Sequence, residues 1–358
     1  MTAVGRDRFP APFLAIALLS MVWGTSLGLL RLGWPLPLPW PDQLIAHGPL
    51  MVGAFVGTLI SLERAVALAS PWGYSAPLLT ASGGIFLIFG PPIGVGSLLI
   101  MIGSATMVGI SAAIWRREPS LVGFTQLLGV VAWFIGNAQW FAGRAIFRVV
   151  FWWLAFLVLT IGGERLELNR VKATHVVGVA FVVAITVVMA GVVLATYEPM
   201  AGVRIMGAGL LLMTCWILRN DIARRLLLQR GLRRFTGVSV LSASIWLAIG
   251  GTIALVTGAS TPGTEYDAIL HAVFLGFMVS MMFGQAPLML ETVLHVRPRY
   301  HPAYYLHLSV LQGSLALRVV GDLVESLGRW RAYGGALNGL SLLLFIVNTA
   351  WSATRAPR

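Results

Sequence analysis

The chain has 358 residues, of which 58% are hydrophobic and only 11% charged, where an ordinary soluble domain carries about 25% charged residues. That composition excludes a soluble globular enzyme, a disordered chain and a secreted disulfide scaffold. The net charge of +12 reads as arginine held in the cytoplasmic loops of a membrane protein, not as a nucleic-acid surface.

Apolar runs recur from end to end, each long enough to cross a hydrocarbon core of about 30 Å. In chain order they cover 11–30, 44–66, 74–91, 93–115, 121–141, 146–163, 174–195, 202–218, 236–257, 266–289, 303–322 and 332–351. The first follows Arg6 and Arg8, as a signal peptide would. Trp23 and Leu27 to Leu30 continue the run without a small-x-small site, so a retained helix is expected. The second opens on His47-Gly-Pro-Leu-Met-Val-Gly-Ala-Phe and ends in Leu62-Glu63-Arg64. Pro91-Pro92 divides the third from the fourth and reads as a tight turn between two helices. The fifth carries Asn137 and Gln139 near one end, and the sixth ends in Gly163-Glu164-Arg165. Cys215, in the eighth, is the only cysteine. It excludes an intramolecular disulfide, a CxxC motif and a thiolate cluster, so any metal site must use His, Met or carboxylates. The tenth opens on His271-Ala-Val-Phe-Leu-Gly-Phe-Met; its Met278, Met281, Met282 and Met289 read as core fillers. The eleventh contains His307 and, four residues apart on one face, Arg318 and Asp322. Arg329 and Arg331 precede the twelfth.

With a cytoplasmic N-terminus, 18 of the 25 basic residues fall in inside segments, the longest being Arg219 to Arg234. The other seven are Arg31, Arg144, Arg148, Arg204, Arg318, Arg329 and Arg331. This asymmetry puts both ends in the cytoplasm of a cell whose plasma membrane, a bacterial inner membrane, holds the chain. The basic loop reads as a topology signal that touches anionic lipid; no nucleic-acid partner is expected.

Internal repetition is short but consistent. Glu63-Arg64 and Glu164-Arg165 are 101 residues apart, four helices; His47 and His271 are 224 apart, eight helices. A three-fold repeat of four helices fits both offsets. The expected fold is therefore all-α: one integral membrane domain over 1–358, in three pseudo-symmetric arcs at approximately 11–115, 121–218 and 236–351.

Of the six histidines, His175, His295 and His301 fall in loops or at cytoplasmic ends, where they cost little. His307 lies one turn inside the eleventh span and reads either way. His47 and His271 open two helices of the same direction and so lie at the same depth near the outer face. Buried ionisable groups in a membrane are costly and face the bundle interior. Small residues follow each: Gly48, Gly53 and Gly57, and Gly276 and Gly284. They let a helix or a flat macrocycle approach closely. Two imidazoles at matched depth suit a bis-histidine heme, and imidazole also suits copper. The same residues read equally as helix-to-helix hydrogen-bonding groups.

The span order and these two histidines resemble the twelve-helix catalytic subunit of heme-copper oxidases and nitric oxide reductases. His47-to-Phe55 and His271-x-x-x-x-Gly-Phe-x-x-x-Met-x-Phe-Gly are similar to helices of the NnrS family, twelve-helix heme proteins linked to nitric oxide stress. The resemblance implies one heme b held by His47 and His271, with Arg318, Arg329 or Arg331 near its propionates. Copper stays open as a further metal, and a redox partner or larger membrane complex as partners. The chain departs from the oxidase pattern: the sixth span has no histidine, the seventh only His175, and no second histidine lies close to His271. Oxygen reduction at a binuclear centre is therefore not expected. Diatomic-gas response or electron transfer remains, with a small-solute transporter or an accessory subunit as the alternatives.

Overall fold

The computed structural model describes residues 10–37, 40–90, 93–169 and 175–354. Arg6, Arg8, Pro91, Pro92, Arg170, Lys172, Arg355 and Arg358, used above for topology and turns, lie outside the described residues. Among those described there is no strand, and twelve long helices follow the twelve apolar segments. They are α1 Ala11–Arg31, α2 Pro49–Leu68, α3 Ser75–Phe89, α4 Ile93–Arg117, α5 Leu121–Phe141 and α6 Ile146–Leu168, then α7 His175–Leu194, α8 Pro199–Asn220, α9 Leu232–Thr257, α10 Thr264–Leu294, α11 Tyr304–Leu323 and α12 Gly328–Thr354.

Eleven of the long helices are long and apolar enough to cross a membrane. The chain is thus a polytopic, all-helical integral membrane protein. The exception, α11, is long enough at 20 residues, but His307, Gln312, Arg318 and Asp322 make it polar. His307, Arg318 and Asp322 are 0%, 8% and 4% exposed. Their polarity is turned away from lipid, which is what allows such residues inside a membrane. α6 is the opposite case: it is apolar on every side, and 83% of its apolar stretch is buried, as a helix without a lipid-facing stripe requires.

The chain forms two compact units: Met1–Phe156 with Leu288–Arg297, and Leu157–Pro287 with Pro298–Arg358. In the first, α3 and α4 pack antiparallel as separate helices. An added Cβ at Gly96 would meet Leu87, and one at Gly103 would meet Thr80. The two are thus separate helices, while the expected turn at Pro91-Pro92 lies outside the described residues. Side chains close the helix ends: Gln43 Nε2 donates to the Ile88 carbonyl at 2.7 Å, and Arg117 Nη1 to that of Leu68 at 3.1 Å, filling acceptors that a helix C-terminus leaves open. Phe13, Leu62, Ala81 and Val293 form a buried apolar cluster.

The second unit relies on bare backbone. Gly191 faces the Met206 backbone, Gly202 that of Ala195 and Gly209 that of Val188, so α7 and α8 touch along a small-residue seam. Lipid is as apolar as leucine, and association then depends on close packing and interhelical hydrogen bonds. Such bonds are present: Gln312 Nε2 donates to Ser280 Oγ at 2.8 Å, Ser314 Oγ to Asn338 Oδ1 at 2.6 Å and Thr236 Oγ1 to the Gly284 carbonyl at 3.0 Å.

Candidate functional site

His47 and His271 stand at matching points of two unusual helices. His47 and Gly48 lead from a 3₁₀ turn, Pro41–Ala46, into a π-helix over Pro49–Val56. His271 ends the first α-helical part of α10 and leads into a π-helix over Ala272–Val279. Both continue as ordinary α-helix, Gly57–Leu68 and Ser280–Leu294. The histidine offset of 224 carries the first π-segment onto the second to within one residue. π-Helices make up well under 1% of residues. They occur frequently at functional sites, and their i→i+5 bonding shifts the helical register of the side chains that follow. α6, which ends in the Glu164-Arg165 pair, has neither the histidine nor the π-segment.

The two imidazoles are half-buried and held alike. His47 Nδ1 lies 2.7 Å from the Gly24 carbonyl of α1, and His271 Nδ1 lies 2.8 Å from the Asp267 carbonyl one turn back. A carbonyl only accepts, so Nδ1 carries a proton, and a neutral ring then has its lone pair on Nε2. An imidazole that ligates a metal is oriented in the same way, by a carbonyl on its other nitrogen. The residues present thus fit axial ligands of a heme iron. The ring of His47 also lies on bare backbone: a Cβ at Gly28 would sit 2.9 Å from its Cε1 and 3.0 Å from Nδ1.

Around His271 the second unit gathers charge. Arg318 Nη2 donates to Asp267 Oδ2 at 2.8 Å, and His271 Nδ1 is 3.4 Å from the same oxygen. Arg331 Nη2 is 3.5 Å from Asp267 Oδ2, and its Nε is 2.8 Å from Asp322 Oδ1. The four-residue spacing of Arg318 and Asp322 does place both inward, but Arg318 reaches to Asp267 of α10 while Asp322 takes Arg331 of α12. Arg329 is exposed. Asp267 is the residue that sequence reasoning passed over. Its signal was the four-residue spacing from His271, which puts both on one helix face.

The Glu-Arg pairs belong to two different settings. Arg64 Nη1 donates to Gln126 Oε1 at 3.1 Å and lies 3.6 Å from Glu63. Arg165 is buried and lies 4.0 Å from Asp221. With the Gln285 amide oxygen turned to Arg165, it accepts from Nη2 at 2.6 Å and its nitrogen donates to Glu164 at 3.2 Å. Asp221, between α8 and the short turn Ala223–Leu226, also accepts from the Ala223 N–H at 2.7 Å. Burial pushes the Asp221 carboxyl above its ordinary 3.8, and the charge of Arg165 offsets only part of this. A raised folded-state pKa means stability that is present in full below about pH 3.8 and lost as pH rises through the raised value. Thermal melts of the detergent-solubilised chain should show this pH-dependent loss, and Asp221→Asn, which keeps the cap acceptor, should remove it.

His307 is caged by aromatic rings, with the Phe283 and Phe345 centroids at 4.6 and 5.6 Å. Its Nδ1 meets Asn348 Nδ2 at 3.3 Å, and its Nε2 is buried without a hydrogen-bond partner. In the first unit the Asn137 amide is fully buried and unpartnered, as are Gln139 Oε1 and the indole N–H of Trp133 and Trp153. Among the described residues, no three His, Cys, Asp or Glu side chains assemble into a metal-ion set.

Residues 8–354 match the model of a family described as "Domain of unknown function (DUF8744)", and the chain belongs to that family. No curated protein sequence matches it. Among solved structures it is similar to a heme-copper terminal oxidase, reported as a dimer by cryo-electron microscopy. The TM-score is 0.65 at 12% identity, over 99% of this chain and 84% of the oxidase chain. The likeness is one of fold.

Proposed function

We propose that the protein is a heme-binding membrane protein in which His47 and His271 are the two axial ligands of one heme b. The observation that carries this reading is the pair of histidines, each leading into a π-helix and each held at Nδ1 by a backbone carbonyl. The oxidase-like fold and the motif resemblance to the NnrS family support it. The bound heme would supply one-electron exchange or reaction with a diatomic gas such as nitric oxide. Two protein ligands leave no open position, which favours electron transfer with a redox partner over direct gas binding. Asp267 would orient the His271 ring. Among the described residues no three His, Cys, Asp or Glu side chains come together to hold copper. The test is an oxidised-minus-reduced visible spectrum of the purified chain supplied with heme: a six-coordinate, low-spin b-type spectrum is expected, and its absence overturns the reading.

The two π-segments also support α1–α4 and α9–α12 as repeats of one four-helix arc, with α5–α8 as the divergent middle one. In this reading both termini face the cytoplasm of a bacterial plasma membrane. Reporter fusions at residues 230 and 262 should then report opposite sides of the membrane. The same side for both would break the span order.

A further inference from the structure

A cavity of about 400 Å³ opens in the second unit where α9 and α11 begin, lined by Arg230, Gly231, Arg234, Val238, Tyr300 and Tyr305. It lies within a single unit and is separate from the histidine sites. Its chemistry is one-sided. Two of its six lining residues are arginines and none is acidic. The Asp267 cluster differs, since each arginine there meets a carboxylate.

The backbone adds to the same sign. α9 starts at Leu232 with Gly231 as its N-cap, has no side-chain cap, and carries no acidic residue in its first turn. The N–H groups of a helix start and its dipole favour an anion. Gly231 holds a φ of +63°, and the Tyr300 ring lies against it, 3.7 Å from where a Cβ would be. Tyr305 is fixed edge-on to Phe235, with centroids 5.3 Å apart. The walls thus offer guanidinium and phenol donors on a rigid frame.

The surroundings indicate what carries the anion. Leu228, just before the pocket, is 86% exposed. An exposed leucine beside arginines and tyrosines, at the ends of membrane spans, is the composition of a headgroup interface. We propose that this pocket binds the phosphate group of an anionic phospholipid headgroup. The arginines and the α9 start take the phosphate, and Val238 and the exposed leucine adjoin the acyl chains.

The full chain is reconstituted into nanodiscs of phosphatidylcholine with added phosphatidylglycerol, and retained lipid is followed by native mass spectrometry. Wild type should keep phosphatidylglycerol in preference to phosphatidylcholine. The Arg230→Gln/Arg234→Gln variant should bind it at least about ten-fold more weakly, through lost charge-assisted hydrogen bonds to the phosphate. Arg224→Gln/Arg225→Gln removes the same charge from exposed positions outside the pocket and should change binding little. Equal loss in both double variants would mean diffuse attraction and would overturn the proposal. Thermal melts of the wild type avoid any folding defect of a variant. Phosphatidylglycerol should raise the midpoint, while phosphatidylcholine and inorganic phosphate should not. Protection by inorganic phosphate at the same concentration would reassign the pocket to a soluble phosphate compound. No protection by either would overturn the site.

Discussion

Heme-loaded His47→Ala and His271→Ala variants are each expected to lose the six-coordinate, low-spin spectrum completely, leaving a five-coordinate form or no bound heme. The effect should be all-or-none, because in the proposed site each residue supplies one of two iron ligands and, among the described residues, no other histidine stands beside a π-segment. A third variant reaches the same end by sterics. Gly28→Leu drives a side chain into the His47 ring, whose atoms lie about 3 Å from any Cβ placed there. It should displace the imidazole from the Gly24 carbonyl while leaving its nitrogen intact. The packing cost is about 1–3 kcal/mol, so a chain that still elutes as a folded monodisperse species but has lost the spectrum isolates ring placement from folding. If both alanine variants keep the low-spin spectrum, the two histidines do not share a heme.

Arg318→Leu should be the most damaging substitution for stability. Arg318 holds the Asp267 carboxylate at 2.8 Å, and its side chain is only 10% exposed against 18% for Asp267. Breaking a buried pair by removing one partner costs about 3–5 kcal/mol where the remaining charge is left uncompensated; Arg331 and His271 stay within 3.5 Å of Asp267 and hold the loss toward the lower end. The double variant Arg318→Leu/Asp267→Asn should recover much of the loss, since neither charge is then left behind. A double-mutant cycle on thermal or denaturant unfolding measures the coupling. Additive losses, with no recovery in the double variant, would show that Asp267 and Arg318 do not support one another.

The spans were legible because hydropathy reports directly on lipid, and a run such as Val149 to Ile161 admits no other environment. The paired histidines were legible because ionisable side chains are rare inside such runs. Two things were not. The π-segments leave no trace in hydropathy: Pro49–Val56 and Ala272–Val279 are as apolar as any α-helical span, and i→i+5 bonding is set by what the helix packs against. Arg318 and Asp322 were read as neighbours because helix spacing sees only partners on the same helix. The actual partners, Asp267 and Arg331, come from α10 and α12, and only the packing of α10, α11 and α12 brings them near. The same packing hides the polar face of α11, which is why its composition alone falls short of a span while its burial does not.

The charges of the Asp267 cluster also set how the protein responds to voltage. With both carboxylates ionised, Asp267 and Asp322 balance Arg318 and Arg331, and these four side chains then carry no net charge. A membrane potential does about 2.3 kcal/mol of work per elementary charge per 100 mV across the full field. On a neutral quartet moving as one body that work cancels, so the field acts on α10, α11 and α12 through this cluster only when its ion pairs separate. An unpaired arginine at the same place would be a gating charge; with its carboxylate it is electrically silent.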